Sequence, residues 1–147
     1  MKIIIQNVTG ASCEINNEVY SEIGKGFCIF VSFTNDDTEE TIEKMANKLM
    51  KLRVFNDEDG KTNLNLEQVN GEILSVSQFT LYASCKGMNR PSFINCLNFD
   101  KANVFYNYFN SLICEKFVVK TGIFGADMKI HIDNDGPFTI ILDSKEI

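Results

Sequence analysis

At 147 residues, 44% hydrophobic and 23% charged, the chain has the composition of one globular domain that can bury its own core. Its net charge of −6 repels a long phosphate backbone and excludes a duplex-coating protein, though not one that grips a nucleic-acid end through a few contacts. No apolar run approaches the ~20 residues of a membrane span, and the N-terminus turns polar too early for a signal-peptide core, so a cytoplasmic protein is expected.

Residues 2–9 predict a strand rich in β-branched side chains, broken at Thr9-Gly10. A second strand is expected over Ala11–Ile15, a turn at Asn16-Asn17, and a third strand over Glu18–Ile23. The almost wholly apolar run Phe27–Phe33 predicts a central, buried strand. A helix follows, with Asp37 as its cap, Glu40 at capping-box spacing, and Ile42, Met45, Ala46, Leu49 and Leu52 on one face.

Val54-Phe55 is short and extended, and Asn56–Gly60 is an acidic surface turn that lacks the spacing of a calcium loop. The next strand is expected over Glu72–Tyr82 and an irregular stretch over Ala83–Asn98, about the length at which loops carry function. Asp100 is placed as the cap of a second helix, with Phe105, Tyr108, Phe109, Leu112 and Ile113 as its buried stripe. Near the end, Asn134-Asp135-Gly136-Pro137-Phe138-Thr139 lies between two strand-like runs. It predicts a hairpin turn, or bare backbone offered to a ligand. The sum is an α+β domain over residues 1–147, with a largely antiparallel or mixed sheet and two main helices on one face.

Catalytic side chains are few. The one histidine, His131, sits in an alternating strand and reads as structural or solvent-facing. The cysteines at 13, 28, 85, 96 and 114 are odd in number and have no C-x-x-C pair, which suggests neither a disulfide framework nor a metal site. No phosphate-binding glycine loop signals a nucleotide cofactor. Ser77-Gln78-Phe79-Thr80 places polar groups in a strand expected to be buried. Such groups either line a site or find partners within the sheet, and Thr80 is a nucleophile only with a base beside it. Lys86, Arg90, Lys101, Lys116, Lys120 and Lys129 are candidates for a basic patch.

Val76-Ser77-Gln78-Phe79-Thr80-Leu81 and Asn134–Thr139 resemble the two signature motifs of the D-aminoacyl-tRNA deacylase family. Ile5-Gln6-Asn7-Val8-Thr9, Gly60–Asn65, Arg90-Pro91-Ser92-Phe93 and Thr121–Met128 fit in the same order, so the resemblance covers nearly the whole chain. It implies a barrel-like fold and a homodimer in which a cis Gly136-Pro137 segment reaches into the partner's site. There it would exclude L-aminoacyl esters by clash while D-residues and glycine pass.

By position, the main-chain amides of Ser77, Gln78 and Phe79 would line the scissile ester, and Phe124 and Met128 would pack on the terminal adenine. The tRNA's own 2′-hydroxyl would assist attack by water. The implied substrate is a tRNA 3′ end carrying a D-amino acid, or glycine on tRNA(Ala), with no cofactor and no membrane. The rival readings are an esterase with Thr80 as nucleophile and an inactive dimeric binding module. Two residues depart from the family pattern: Asn7 stands where an Arg that supports the Gly-Pro segment is common, and Phe138 stands where Val is usual.

Overall fold

The computed structural model describes residues 1–147. Its strands and helices are β1 (Lys2–Ile15), β2 (Glu18–Ile23), β3 (Gly26–Ser32), α1 (Glu39–Met50), β4 (Arg53–Asn56), β5 (Thr62–Asn65), β6 (Glu72–Ser77), α2 (Phe99–Cys114), β7 (Val119–Thr121) and β8 (Lys129–Asp143). The main sheet runs β2-β1-β3-β6-β7, with β8 also paired to β1, while β4 and β5 form a separate hairpin. β1 pairs antiparallel with β2, β3 and β8, whereas β3–β6 and β6–β7 are parallel, so the sheet is mixed as expected. Its far edges approach each other: Ser21 Oγ on β2 donates to the Thr121 carbonyl on β7 at 2.9 Å, which nearly closes the barrel.

Alternation along the strands sorts the core into two clusters. Phe27, Ile29 and Val31 of β3 face outward into a cluster of 21 buried residues that includes the apolar faces of both helices. Cys28, Leu74 and Val76 face the other way, into a smaller cluster with Val8, Ala11, Cys13 and Ile23. β3 is therefore covered on both sides, which is why its sequence shows no alternation. The two helices lie on one face of the sheet, as the sequence predicts.

Four local expectations are corrected. Thr9-Gly10 does not break the first strand: β1 runs through it and absorbs the irregularity as register shifts against β8 between Gln6 and Gly10. The cap of α1 is Thr38, whose hydroxyl accepts from the Thr41 amide, while Asp37 is buried, bonding the Met1 ammonium and the Thr34 N–H instead. The cap of α2 is Asn98, with Asp100 inside the first turn; the buried stripe gains Tyr106 and Asn110, and Tyr108 and Leu112 are only partly covered. The stretch 134–139 is not a hairpin turn. β8 is one strand along β1, with Asn134 opposite Val8 and Thr139 opposite Gln6, so residues 135–138 bulge out of the ladder opposite Asn7.

Candidate functional site

β6 ends at Ser77, earlier than its apolar pattern suggests, because the chain turns at Gln78 into a single 3-10 turn over Phe79–Tyr82. The polar motif therefore lies at a strand end, with Phe79 and Thr80 exposed rather than buried in the sheet. This turn forms one wall of a cleft of about 550 Å³. Ser77, Gln78 and Phe79 meet Phe124 and Met128 there, so five of the nine residues expected from sequence share one cavity. Phe99, Ala102 and Asp127 also line it, and sequence spacing gave no sign of their placement.

The backbone of the turn is held firmly. The Gln78 N–H is spent on the Val31 carbonyl at 2.8 Å. The Phe79 carbonyl accepts from Ser32 Oγ and from Cys96 Sγ, both at 3.3 Å, and burial raises the Cys96 thiol, which keeps it protonated as a donor. The N–H groups of Phe79 and Thr80, at the start of the 3-10 turn, have no acceptor in the protein. The Thr80 hydroxyl lies 2.5 Å from Gln78 Nε2, and no basic side chain bonds it.

The opposite wall comes from the segment after β7. Phe124 packs edge-on against Phe99 with ring centroids 5.0 Å apart and lies 5.7 Å from the Tyr106 ring. Gly125 permits this, since at φ +76° a Cβ would stand 2.7 Å from the Phe99 ring. Beneath, the Tyr106 hydroxyl donates to the Ser75 carbonyl at 2.7 Å, tying α2 to β6 under the cleft. Burial raises the Tyr106 phenol above its ordinary value, so it stays protonated and keeps that bond.

Gly136, Pro137 and Asn7 lie outside this cavity. The Gly136-Pro137 peptide is cis, and both residues are exposed. Four residues of strand at roughly 3.3 Å each set Asn134, where the bulge begins, about 13 Å beyond Ile130 at the cleft edge. The bulge is closed by Asn134, whose Oδ1 accepts from the Phe138 N–H at 3.1 Å. Asn7 is buried and donates to the Val54 carbonyl at 2.6 Å, so its side chain supports β4 rather than the Gly-Pro segment. Phe138 is half-buried against the main core.

His131 is exposed, 3.4 Å from Glu14 Oε2 and away from the cleft, in line with the solvent-facing reading. Of the basic residues, Lys116 and Lys129 are engaged with Glu67 and Glu14, while Lys86, Arg90, Lys101 and Lys120 form no ion pair. All five cysteines are free thiols, and burial pushes Cys28 up to about 12. No helix is long and apolar enough to cross a membrane.

Comparison with known proteins gives the family and the fold. The model of the family described as D-Tyr-tRNA(Tyr) deacylase matches residues 4–143. The chain is 50% identical over 147 residues to a D-aminoacyl-tRNA deacylase of Staphylococcus carnosus (strain TM300), covering 99% of this chain and 97% of that protein. It is 46% identical over 149 residues to one of Clostridium acetobutylicum, covering 100% and 99%. A solved structure titled c-Myc DNA Unwinding Element Binding Protein superposes with a TM-score of 0.92 at 41% identity, over 97% of this chain and 98% of the other. A second, titled as a probable eukaryotic D-amino acid tRNA deacylase, has a TM-score of 0.81 at 19% identity over 96% and 97%, and shares the fold. The motif cleft, the barrel-like sheet and these matches along the chain's length place it in the D-Tyr-tRNA(Tyr) deacylase family.

Proposed function

We propose that the chain hydrolyses the ester of D-aminoacyl-tRNA, and of glycyl-tRNA(Ala), at this cleft and spares the L-forms. Membership of a deacylase family makes it an ester hydrolase. The observation that carries the finer reading is a cleft with a fixed, unoccupied backbone donor and no paired nucleophile and base. The terminal adenine packs between Phe124 and Met128, where aromatic and thioether surfaces suit an unpaired base. The ester carbonyl then faces the Phe79 N–H, which stabilises negative charge as it develops on the oxygen. That donor is preorganised because Ser32 and Cys96 hold the same residue's carbonyl. Gln78 contributes by shaping the turn, since its own N–H already has a partner.

Attack on the ester is left to water, assisted by the neighbouring 2′-hydroxyl of the tRNA. Thr80 has no base to activate it. Selection falls to Gly136-Pro137, which lies too far along β8 to line its own chain's cleft. A second copy of the chain supplies it across a two-fold interface, and an L side chain meets its backbone while a D side chain points away. Glycine has no side chain to reject.

The test uses D-Tyr-tRNA, L-Tyr-tRNA and D-Tyr-tRNA ending in 2′-deoxyadenosine. Hydrolysis of the first alone is expected. Equal turnover of the third would transfer the chemistry to a protein nucleophile, and no turnover of any would leave a binding module.

A further inference from the structure

We propose that an aromatic rim running outward from the cleft, with Lys86 and Arg90 at its outer end, binds the unpaired nucleotides that precede the terminal adenosine of the substrate. This rests on the deacylase reading and adds the path of the single strand. Phe79, Phe93 and Phe99 are 57%, 42% and 62% exposed, unusual for phenylalanine in a chain with a well-filled core. Phe79 and Phe99 line the cleft, and Phe93 lies beyond its lining. Phe99 touches Phe124 inside the cleft, and Phe79 on the facing wall touches Phe93 outside it, with centroids 5.0 Å apart in each pair.

The rim is preset rather than loose. Ser84 and Ser92 exchange two backbone bonds of 2.9 Å across the base of the loop tip. At the other end, Thr34 Oγ1 donates to the Asn95 carbonyl at 2.8 Å, and Cys96 bonds the Phe79 carbonyl. Little ordering cost is therefore left for binding.

Charge selects the occupant. The chain carries 20 Asp and Glu, yet none falls between Ile73 and Phe99, where the only charged side chains are Lys86 and Arg90. Neither forms an ion pair. An acid-free strip of exposed aromatics and two free cations, continuous with the adenine cleft, fits a short single strand: each base offers a flat face to stack, and each phosphate a charge to meet. The acidic remainder of the surface turns away a longer duplex.

The experiment compares D-tyrosyl-tRNA with D-tyrosyl-adenosine, which carries the ester and the adenine but no preceding nucleotide. Phe93→Ala is expected to raise KM for the tRNA about tenfold, with kcat little changed, and to leave the adenosine ester unaffected. Phe93→Leu, which keeps apolar bulk but offers no flat face to stack, is expected to raise KM for the tRNA as much as Phe93→Ala does and likewise to leave the adenosine ester unaffected. The double variant Lys86→Ala/Arg90→Ala keeps the packing and is expected to flatten the log–log salt dependence of KM for the tRNA by about 1.4, at roughly 0.7 per cation.

Equal losses on both substrates would overturn the proposal, because Phe93 would then only be propping up Phe79. So would an unchanged KM for the tRNA, or sedimentation of the variants as monomers, which would make the rim a contact between copies. If the unaltered protein hydrolyses neither substrate, the deacylase reading fails first and the rim with it.

Discussion

Thr80 is the residue on which two chemistries divide. A nucleophilic threonine needs a base within hydrogen-bond reach, and the hydroxyl here meets only Gln78 Nε2. The exposed 3-10 turn also leaves it outside the cleft lining. Thr80→Ala is therefore expected to keep substantial D-aminoacyl-tRNA hydrolysis, within a few-fold of the unaltered protein in single-turnover rate. Near-total loss with an unchanged circular dichroism spectrum would restore the nucleophile. Residue types at this site were legible in the sequence, since Ser77, Gln78, Phe79, Phe124 and Met128 do converge. Which backbone donor is free was not: the Gln78 N–H is consumed by Val31, a residue 47 positions away in the chain, and only the folded β3–β6 pairing shows it.

Elements were legible where periodicity carries them and not where a single side chain decides. The apolar face of α1 follows from its 3.6-residue repeat, and Ile42, Met45, Ala46 and Leu49 are all buried. Its first residue does not follow, because Asp37 and Thr38 are both good caps by type. The difference is tertiary. Asp37 is drawn to the buried Met1 ammonium and the Thr34 N–H, leaving Thr38 to cap the helix with Thr41. The two positions are expected to differ in cost. Thr38→Ala removes a cap and is expected to destabilise by about 1 kcal/mol. Asp37→Ala strands a buried ammonium and is expected to cost about 3 kcal/mol or more. Urea unfolding of both variants checks this, and equal losses would return the cap to Asp37. The bulge in β8 was hidden for a similar reason. Asp-Gly before a proline has the local chemistry of a hairpin turn. Only the continuous pairing of β1 with both halves of β8 keeps the chain running straight on.

For the whole molecule, the decisive fact is the separation of two motifs. The cleft holds Ser77, Gln78 and Phe79, while Gly136-Pro137 stands exposed farther along β8, a strand that pairs with β1 on one side only. Ile141 on the same strand is 65% exposed. On the proposed reading, a single chain presents half of a site in each of two places, and a two-fold pair of chains would join each half to its complement. Mixing two crippled variants tests this directly. Ala102→Trp fills the cleft of its own chain and leaves its bulge intact. Gly136→Leu spoils the bulge, where even a Cβ would stand 2.9 Å from the Phe138 nitrogen, and leaves its cleft intact. Each alone is expected to be inactive or to lose discrimination against L-aminoacyl-tRNA. After co-refolding in equal amounts, half of the dimers are hybrids, and each hybrid has one site with both halves sound. Selective D-aminoacyl hydrolysis should return to about a quarter of the unaltered level. If the site were complete within one chain, every site in the mixture would carry one defect or the other, and no selective activity would return at any mixing ratio.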